Sequence, residues 1–550
     1  MENSIHILLM NNFRVLGKSG RNSNILIKWV LEDVGKGVEM NKVVGVALVL
    51  GLFSVVSAQI PLNFDVENRG KDLGAKAGEL KSNKKLPNPF EFHDGSKVTK
   101  YDDWSKRRNE IKADIEKYEI GEKPIPADVS ATYSGGTLTV TVKEGGKTAT
   151  ITSKFSIPSG AGPHPIIIGM NSGTGSLSSS IFSGFVQVPF SHDQVAKYSM
   201  NGQKDTGVGF YKFYGDKNQN GDYSAWSWGV SRLIDGLALI AKEHNLDMSK
   251  IAVTGCSYAG KMALFAGAFD ERVTLTIAQE SGGGGINSWR TSADFASRGT
   301  NIEKIDNTNY SWFMQSLQRQ DPYKLPHDHH ELIAMIAPRA VIALGNPGYE
   351  WLGDESGYKS MMAATEVWKA MGIEDRIGFD FTGGHEHCQA ASSQTKSVTA
   401  FVDKFLRNKD ANTDIHVKPT NGKGFKIDNY GDWIDWETPD LPYTASNPDT
   451  TKKDTTVQDT SKKDTATTYC GDMRLAKPNI GVRTVQGRLE VSGAPAEARV
   501  KLYDVNGMLL GKLGATGGLL PARAKGRLVI IIENDTGMQL ITKVINNVGF

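Results

Sequence analysis

Apolar positions divide this 550-residue chain into regions of different character. Between residues 165 and 381 they gather into short continuous runs: Pro165-Ile166-Ile167-Ile168-Gly169-Met170, Ile251 to Thr254, Val273 to Ala278, Ala340 to Leu344 and Ile377 to Phe381. Such runs present no polar face, as strands covered on both sides require. Helical patterns fall between and after them, at Ser224 to His244, Met262 to Phe269, Met361 to Met371 and Thr395 to Leu406. Strands alternating with helices predict the α/β class, with a doubly wound, mostly parallel sheet. Upstream, Trp104 to Tyr118 reads as an amphipathic helix, while Ala131 to Val142 and Thr148 to Phe155 alternate with period two, as a hairpin does.

The pattern changes at both ends. Met40-Asn41-Lys42, the apolar run Val43 to Val56 and then Ser57-Ala58 have the charged, apolar and small-residue order of a cleaved signal peptide. That run is shorter than the roughly 20 residues a membrane span needs, which favours cleavage over anchoring. Met40 is then the expected initiator, with residues 1–39 a start assigned too early, and the mature chain is expected to be secreted. Residues 59–443 form the expected catalytic domain. From 444 to 470 the chain is rich in Asp, Thr and Lys, with near repeats around Lys452-Lys453 and Lys462-Lys463, and reads as a linker. Residues 471–550 carry strand-like runs at Leu489 to Val491, Arg499 to Tyr503, Leu509 to Leu513, Arg527 to Ile532 and Gln539 to Val544, with Asn506-Gly507 as a turn. They suggest a small β-sandwich.

Charge narrows the function classes. The formal net charge is +2, so neither nucleic acid nor an acidic partner is indicated. Three cysteines in an exported chain fit one disulfide and one further thiol.

Two of those cysteines flank the candidate chemistry. In Thr254-Gly255-Cys256-Ser257-Tyr258-Ala259-Gly260-Lys261, a glycine ends the apolar run and a helical stretch follows. Ser257 is therefore expected on a strand-to-helix turn, the position of a nucleophile elbow, and the element order fits an α/β-hydrolase. The spacing is Gly-x-Ser-x-x-Gly, one residue longer than the usual elbow. Gly384-His385-Glu386-His387-Cys388 supplies the base. His387 is preferred to His385 because pairing Cys388 with Cys256 would fix it against the serine. For the acid, Glu280 stands at the end of the strand after the nucleophile helix, and Glu350 or Asp354 one strand later. His327-Asp328-His329-His330 resembles a ligand cluster but lacks the spacing of a specific zinc site, so neither metal nor cofactor is expected. Trp351 could stack on a sugar or fill the core.

Several ordered blocks together resemble the glucuronoyl esterases of carbohydrate esterase family 15, over about residues 85–408. They are Val-Thr-Gly-Cys-Ser at 253–257 with Gly260-Lys261, Gln-Glu-Ser-Gly-Gly-Gly-Gly at 279–285 and Ser-Trp-Arg at 288–290. The others are Leu-Pro-His-Asp-His-His at 325–330, Ile-Ala-Pro-Arg at 336–339, Trp-Leu-Gly at 351–353 and Gly-His-Glu-His-Cys at 384–388. The resemblance implies cleavage of the ester between 4-O-methyl-glucuronic acid of xylan and lignin alcohols, with glucuronoxylan and lignin–carbohydrate complexes as partners. It implies Ser257 as nucleophile, His387 as base and Glu280 as acid, with Lys261 and Trp351 in the uronate pocket.

The chain departs from that pattern at three positions. Tyr258 stands where the family has an arginine that helps to hold the oxyanion. Glu303 stands where fungal members have glutamine, and Asn309 where they have glutamate, both at sugar-contacting positions. A carbohydrate acetyl esterase and a catalytically silent glycan-binding protein are the alternative readings. Val500-Lys501-Leu502-Tyr503-Asp504-Val505-Asn506-Gly507 resembles the C-terminal sorting domains of type IX secretion, which implies cell-surface attachment. A carbohydrate-binding module is the alternative for the tail, which lacks tryptophan.

Overall fold

The computed structural model describes residues 60–70, 78, 80–200, 202–419 and 430–443, and then 481–485, 488–492, 499–503, 509–513, 516–519, 526–533 and 539–547. The signal-peptide and linker readings, Asn506-Gly507 and Cys470 fall outside these residues. Two compact units divide the chain, Met1–Thr450 and Thr451–Phe550.

In the first unit, the alternating region opens with the strands β1 (Asp128–Ser134), β2 (Thr137–Glu144) and β3 (Lys147–Lys154), an antiparallel meander. The expected two-stranded hairpin is thus three strands. Gly135 and Gly136 at φ 57° and 78° turn the chain between apolar positions 129, 131 and 133 and apolar positions 138, 140 and 142, so the alternation changes phase at the turn.

Seven strands then form the main sheet: β4 (His164–Met170), β5 (Val186–Phe190), β6 (Leu246–Cys256), β7 (Leu275–Gln279), β8 (Ala340–Leu344), β9 (Ile377–Asp380) and β10 (His416–Val417). Their spatial order is β10-β9-β8-β7-β6-β4-β5, and every neighbouring pair is parallel. Successive residues of each strand enter opposite cores. Ile166 and Ile168 join one cluster and Ile167 the other; Val341 and Ala343 join the first, and Ala340, Ile342 and Leu344 the second. The first core takes apolar side chains from the helices Asp222–His244, Tyr258–Phe269 and Asp354–Ala370, and the second takes Val398, Phe401, Val402, Phe405 and Leu406 from the helix Ser392–Arg407. The α/β-hydrolase expectation holds: two covered faces explain why the strands have no polar side.

The chain runs outward from β4 to β5 and returns across β4 to β6, so the order reverses between β4 and β6. In an open parallel sheet, the carboxyl ends of strands at such a switch form the binding crevice. Ser257 follows β6 directly.

Among its described residues, the second unit shows seven strands in two antiparallel sheets. One has the order Gly481–Val485, Arg488–Ser492, Gly517–Leu519, and the other Leu509–Leu513, Arg499–Tyr503, Gly526–Glu533, Gln539–Asn547. Gly481–Val485 and Gly517–Leu519 are absent from the sequence expectation, being short and, in the second case, glycine-rich.

Candidate active site

Close packing explains the elbow. Ser257 has φ 61° and ψ −129°, a strained backbone for a side chain other than glycine, between β6 and the helix Tyr258–Phe269. A Cβ on Gly255 would lie 2.1 Å from the Ala259 carbonyl oxygen, and one on Gly260 2.3 Å from the Gln279 carbonyl oxygen. Glycine at 260, rather than 259, is thus where this helix meets the end of β7. Ser257 N–H donates to the Gln279 carbonyl at 3.0 Å, tying the turn to the same strand end.

Glu280 follows β7 at φ 43° and is almost fully buried. Its backbone N–H is held by the Leu344 carbonyl at 2.7 Å, so β8 fixes its position. One carboxylate oxygen bonds His387 Nδ1 at 2.6 Å, and the other accepts from Cys388 N–H at 3.1 Å. Cys388 is disulfide-bonded to Cys256, with Cα atoms 5.6 Å apart. The bridge, the carboxylate and the serine turn thereby bring residues 257, 280 and 387 together at the carboxyl ends of the central strands. Tyr349 completes the clasp: its hydroxyl accepts from His387 N–H at 3.1 Å and donates to Glu386 at 3.0 Å.

The competing groups are engaged elsewhere. His385 bonds the Thr382 carbonyl through Nε2 at 2.9 Å and takes Asn346 Nδ2 at Nδ1 at 3.1 Å, so its ring orders the loop. Glu350 begins an exposed turn. Asp354 is buried at the start of its helix, with Oδ2 lacking a hydrogen-bond partner among the described residues. Burial, and then the nearby Glu280 charge, raise its pKa to about 7. A carboxyl whose folded pKa lies above its unfolded value of 3.8 destabilises the fold as pH rises between the two, and the full cost persists above the higher one. Asp354→Asn is therefore expected to raise thermal stability more at pH 8 than at pH 5, by a difference on the order of 2 kcal/mol. Thermal denaturation of both proteins at the two pH values checks this.

The histidine cluster is a buried ion group. His327 Nε2 and His329 Nε2 meet the two oxygens of Glu119 at 2.8 and 2.7 Å, and all three side chains are fully buried. Despite burial, His329 and then His327 hold the Glu119 pKa down at about 2, and Glu119 raises that of His329. His329 Nδ1 bonds the Gly285 carbonyl, so the cluster anchors the glycine-rich loop after Glu280. Glu119 itself lies in a π-helical turn, Glu116–Ile120.

On the other side of Ser257, Lys261 is buried and pairs with Glu303 at 2.6 Å, whose second oxygen accepts from Thr308 Oγ1 at 2.6 Å. The ammonium also sits 5.3 Å from the ring centroid of Trp312. Tyr258 stacks on the same ring at 5.8 Å and 27°. Asn309 ties two loops together, donating to the Ser199 carbonyl at 2.7 Å and accepting from Ser311 of its own loop. Trp351 is 39% exposed, with its ring 4.9 Å from that of His387, so the sugar-stacking reading of the residue, not the core one, fits its place. Sequence reasoning missed Trp312, Tyr349 and Glu119. Tyr349 stands two residues before Trp351-Leu352-Gly353, whereas nothing in the local pattern marked the other two.

Residues 140–372 match the family model described as "Glucuronyl esterase, fungi". The 4-O-methyl-glucuronoyl methylesterase of Podospora anserina is 39% identical over 365 residues, covering 65% of this chain and 74% of that protein. The glucuronoyl esterase catalytic domain of Hypocrea jecorina superposes with a TM-score of 0.60 at 40% identity, covering 66% of this chain and 98% of that one. A mutant of the Sporotrichum thermophile glucuronoyl esterase, crystallised with methyl 4-O-methyl-β-D-glucopyranuronate, gives a TM-score of 0.60 at 34% identity over 66% of this chain and 98% of that one. This chain belongs to the glucuronoyl esterase family, carbohydrate esterase family 15, of carboxylic ester hydrolases.

Proposed function

We propose that this protein is an exported serine esterase that hydrolyses the ester between 4-O-methyl-D-glucuronic acid of xylan and lignin alcohols. The observation that carries the reading is the 2.6 Å bond from Glu280 to His387, in a loop bridged by Cys388–Cys256 to the residue before Ser257. With Nδ1–H committed to Glu280, Nε2 is left as the base. It takes the Ser257 proton as Oγ attacks the ester carbonyl, and the charge that develops is held by the first-turn N–H of Tyr258. Collapse breaks the bond to the alcohol, which leaves with the proton from His387. Water, deprotonated by His387, then attacks the acyl-enzyme, releases the uronic acid and restores Ser257.

Lys261 and Glu303 support a uronate sugar as the acyl part. An ammonium donates and a carboxylate accepts, so the pair can hold neighbouring hydroxyls in one orientation. Trp351 offers its exposed ring beside His387 for stacking. The complex of the Sporotrichum thermophile relative with a methyl glucuronate ester supports the same substrate class. Secretion rests on the Met40 to Ala58 segment, and cell-surface attachment on the C-terminal unit as a sorting domain.

The test is hydrolysis of a benzyl ester of glucuronic acid beside acetylated xylan. Turnover of the uronate ester at least about 100-fold above that of acetylated xylan is expected, because a site built to pair a sugar's polar groups loses several kcal/mol when they are missing. Preference for acetylated xylan would make the protein an acetyl esterase. Retained uronate binding without turnover of either would make it a glycan-binding protein, the reading that Tyr258 in place of arginine favours.

A further inference from the structure

The esterase reading leaves one electrostatic role unfilled. An ester oxyanion is usually met by two donors, and the only one assigned so far is the backbone N–H of Tyr258. The near cation, Lys261, is paired with Glu303. Tyr258 does not supply the second donor itself, because its hydroxyl is already committed. His192 Nδ1 lies 3.0 Å from an Asp193 oxygen and Nε2 lies 3.1 Å from the Tyr258 hydroxyl, so the ring engages the hydroxyl on one side. Burial lowers the His192 pKa and keeps the ring neutral. The phenol oxygen in turn accepts from Asn171 Nδ2 at 2.7 Å.

Asn171 is well placed for the missing role. It follows β4, two residues beyond Gly169, which pairs with Thr254 of β6, and so it flanks the Cys256-Ser257 turn at the sheet switch. Its backbone N–H is pinned by the Phe190 carbonyl at the end of β5, at 3.0 Å, and its φ is 71°. The residue is exposed, and a side-chain amide carries two N–H groups, only one of which Tyr258 uses. The Tyr258 ring cannot swing away: Tyr198 lies 4.5 Å from it and Trp312 5.8 Å.

We propose that Asn171 is a catalytic residue whose free side-chain N–H donates to the oxyanion, and that Tyr258 is its positioning residue, oriented through His192 and Asp193. This rests on the esterase reading. It makes Tyr258 part of an alternative oxyanion site rather than a loss.

The experiment compares kcat and KM on the benzyl glucuronate ester for the full chain and for Asn171→Gly, Asn171→Asp, Tyr258→Phe, the double variant Asn171→Gly/Tyr258→Phe, and Ser257→Ala. Glycine keeps the left-handed backbone without strain, and aspartate keeps the shape without the donor. Asn171→Gly is expected to lower kcat about 100-fold with KM changed less than about threefold, and Asn171→Asp to lower it at least as far. Tyr258→Phe is expected to cost about tenfold, with the double variant no slower than Asn171→Gly, since a positioning residue matters only through the group it positions. An unchanged kcat in both Asn171 variants, or a change confined to KM, overturns the donor. Multiplying effects in the double variant overturn the positioning role. A wild type as inert as Ser257→Ala refutes the esterase reading itself and the donor with it.

Discussion

Replacing Ser257 by alanine is expected to lower kcat on a glucuronate ester by about 10⁶-fold, and Glu280→Gln by about 10⁴-fold. The first figure follows because, without Oγ, no acyl-enzyme forms and only weak stabilisation of water attack remains. The second follows from the tautomer. Glu280 accepts from His387 Nδ1 with one oxygen and from Cys388 N–H with the other. A glutamine keeping its oxygen on Cys388 N–H would turn its NH2 toward Nδ1, moving the imidazole proton to Nε2, where a base cannot carry it. His385 serves as the internal control, since its ring is held by Thr382 and Asn346 and lies 3.9 Å from Glu280. Steady-state kinetics with circular dichroism of each variant check the series. A Glu280→Gln enzyme within tenfold of wild type would move the acid role to Asp354, the buried carboxyl nearby.

What the sequence made legible follows what each signal depends on. β8 begins and ends where its apolar run does, because a strand covered on both faces writes itself as a continuous run. β5 was missed. Val186-Gln187-Val188-Pro189-Phe190 is short and contains a proline, which a sheet tolerates only where no neighbour needs the N–H; β5 is the edge strand. The serine and histidine could be found because each has a cysteine beside it, and the bridge Cys256–Cys388 is present. Glu280 could be placed because a strand end fixes it. The surroundings of Tyr258 were not legible, since His192, Asn171 and Trp312 reach it from segments 66, 87 and 54 residues away with no period linking them. Only the folded loops bring such residues together. The histidine run could be seen in the sequence, but its partner Glu119, 208 residues from His327, lay beyond any local argument.

Removing the bridge with Cys256→Ala and Cys388→Ala is expected to lower stability by about 5 kcal/mol, because the closed loop spans 132 residues. For a unit of this size that corresponds to a fall in Tm of about 6 °C. The effect on activity should be much smaller than the effect of losing a triad residue. Below Tm, the His387 loop keeps its bonds from Glu280 to His387 and Cys388 and from Tyr349 to His387, so the base still has a defined place. Cys388, however, sits at φ 64°, and its loop has exposed residues at Gly384, Glu386 and Gln389, so little core packing replaces the lost tether. A fall in kcat of about tenfold, with KM nearly unchanged, is the expected balance, since about 1.4 kcal/mol of misplacement is enough to cause it. Thermal denaturation and kinetics of the double alanine variant separate the two effects. A large fall in Tm with full kcat would make the bridge a staple of the fold alone. A fall of 10³-fold or more with Tm unchanged would mean that the bridge, rather than Glu280, holds His387 against Ser257.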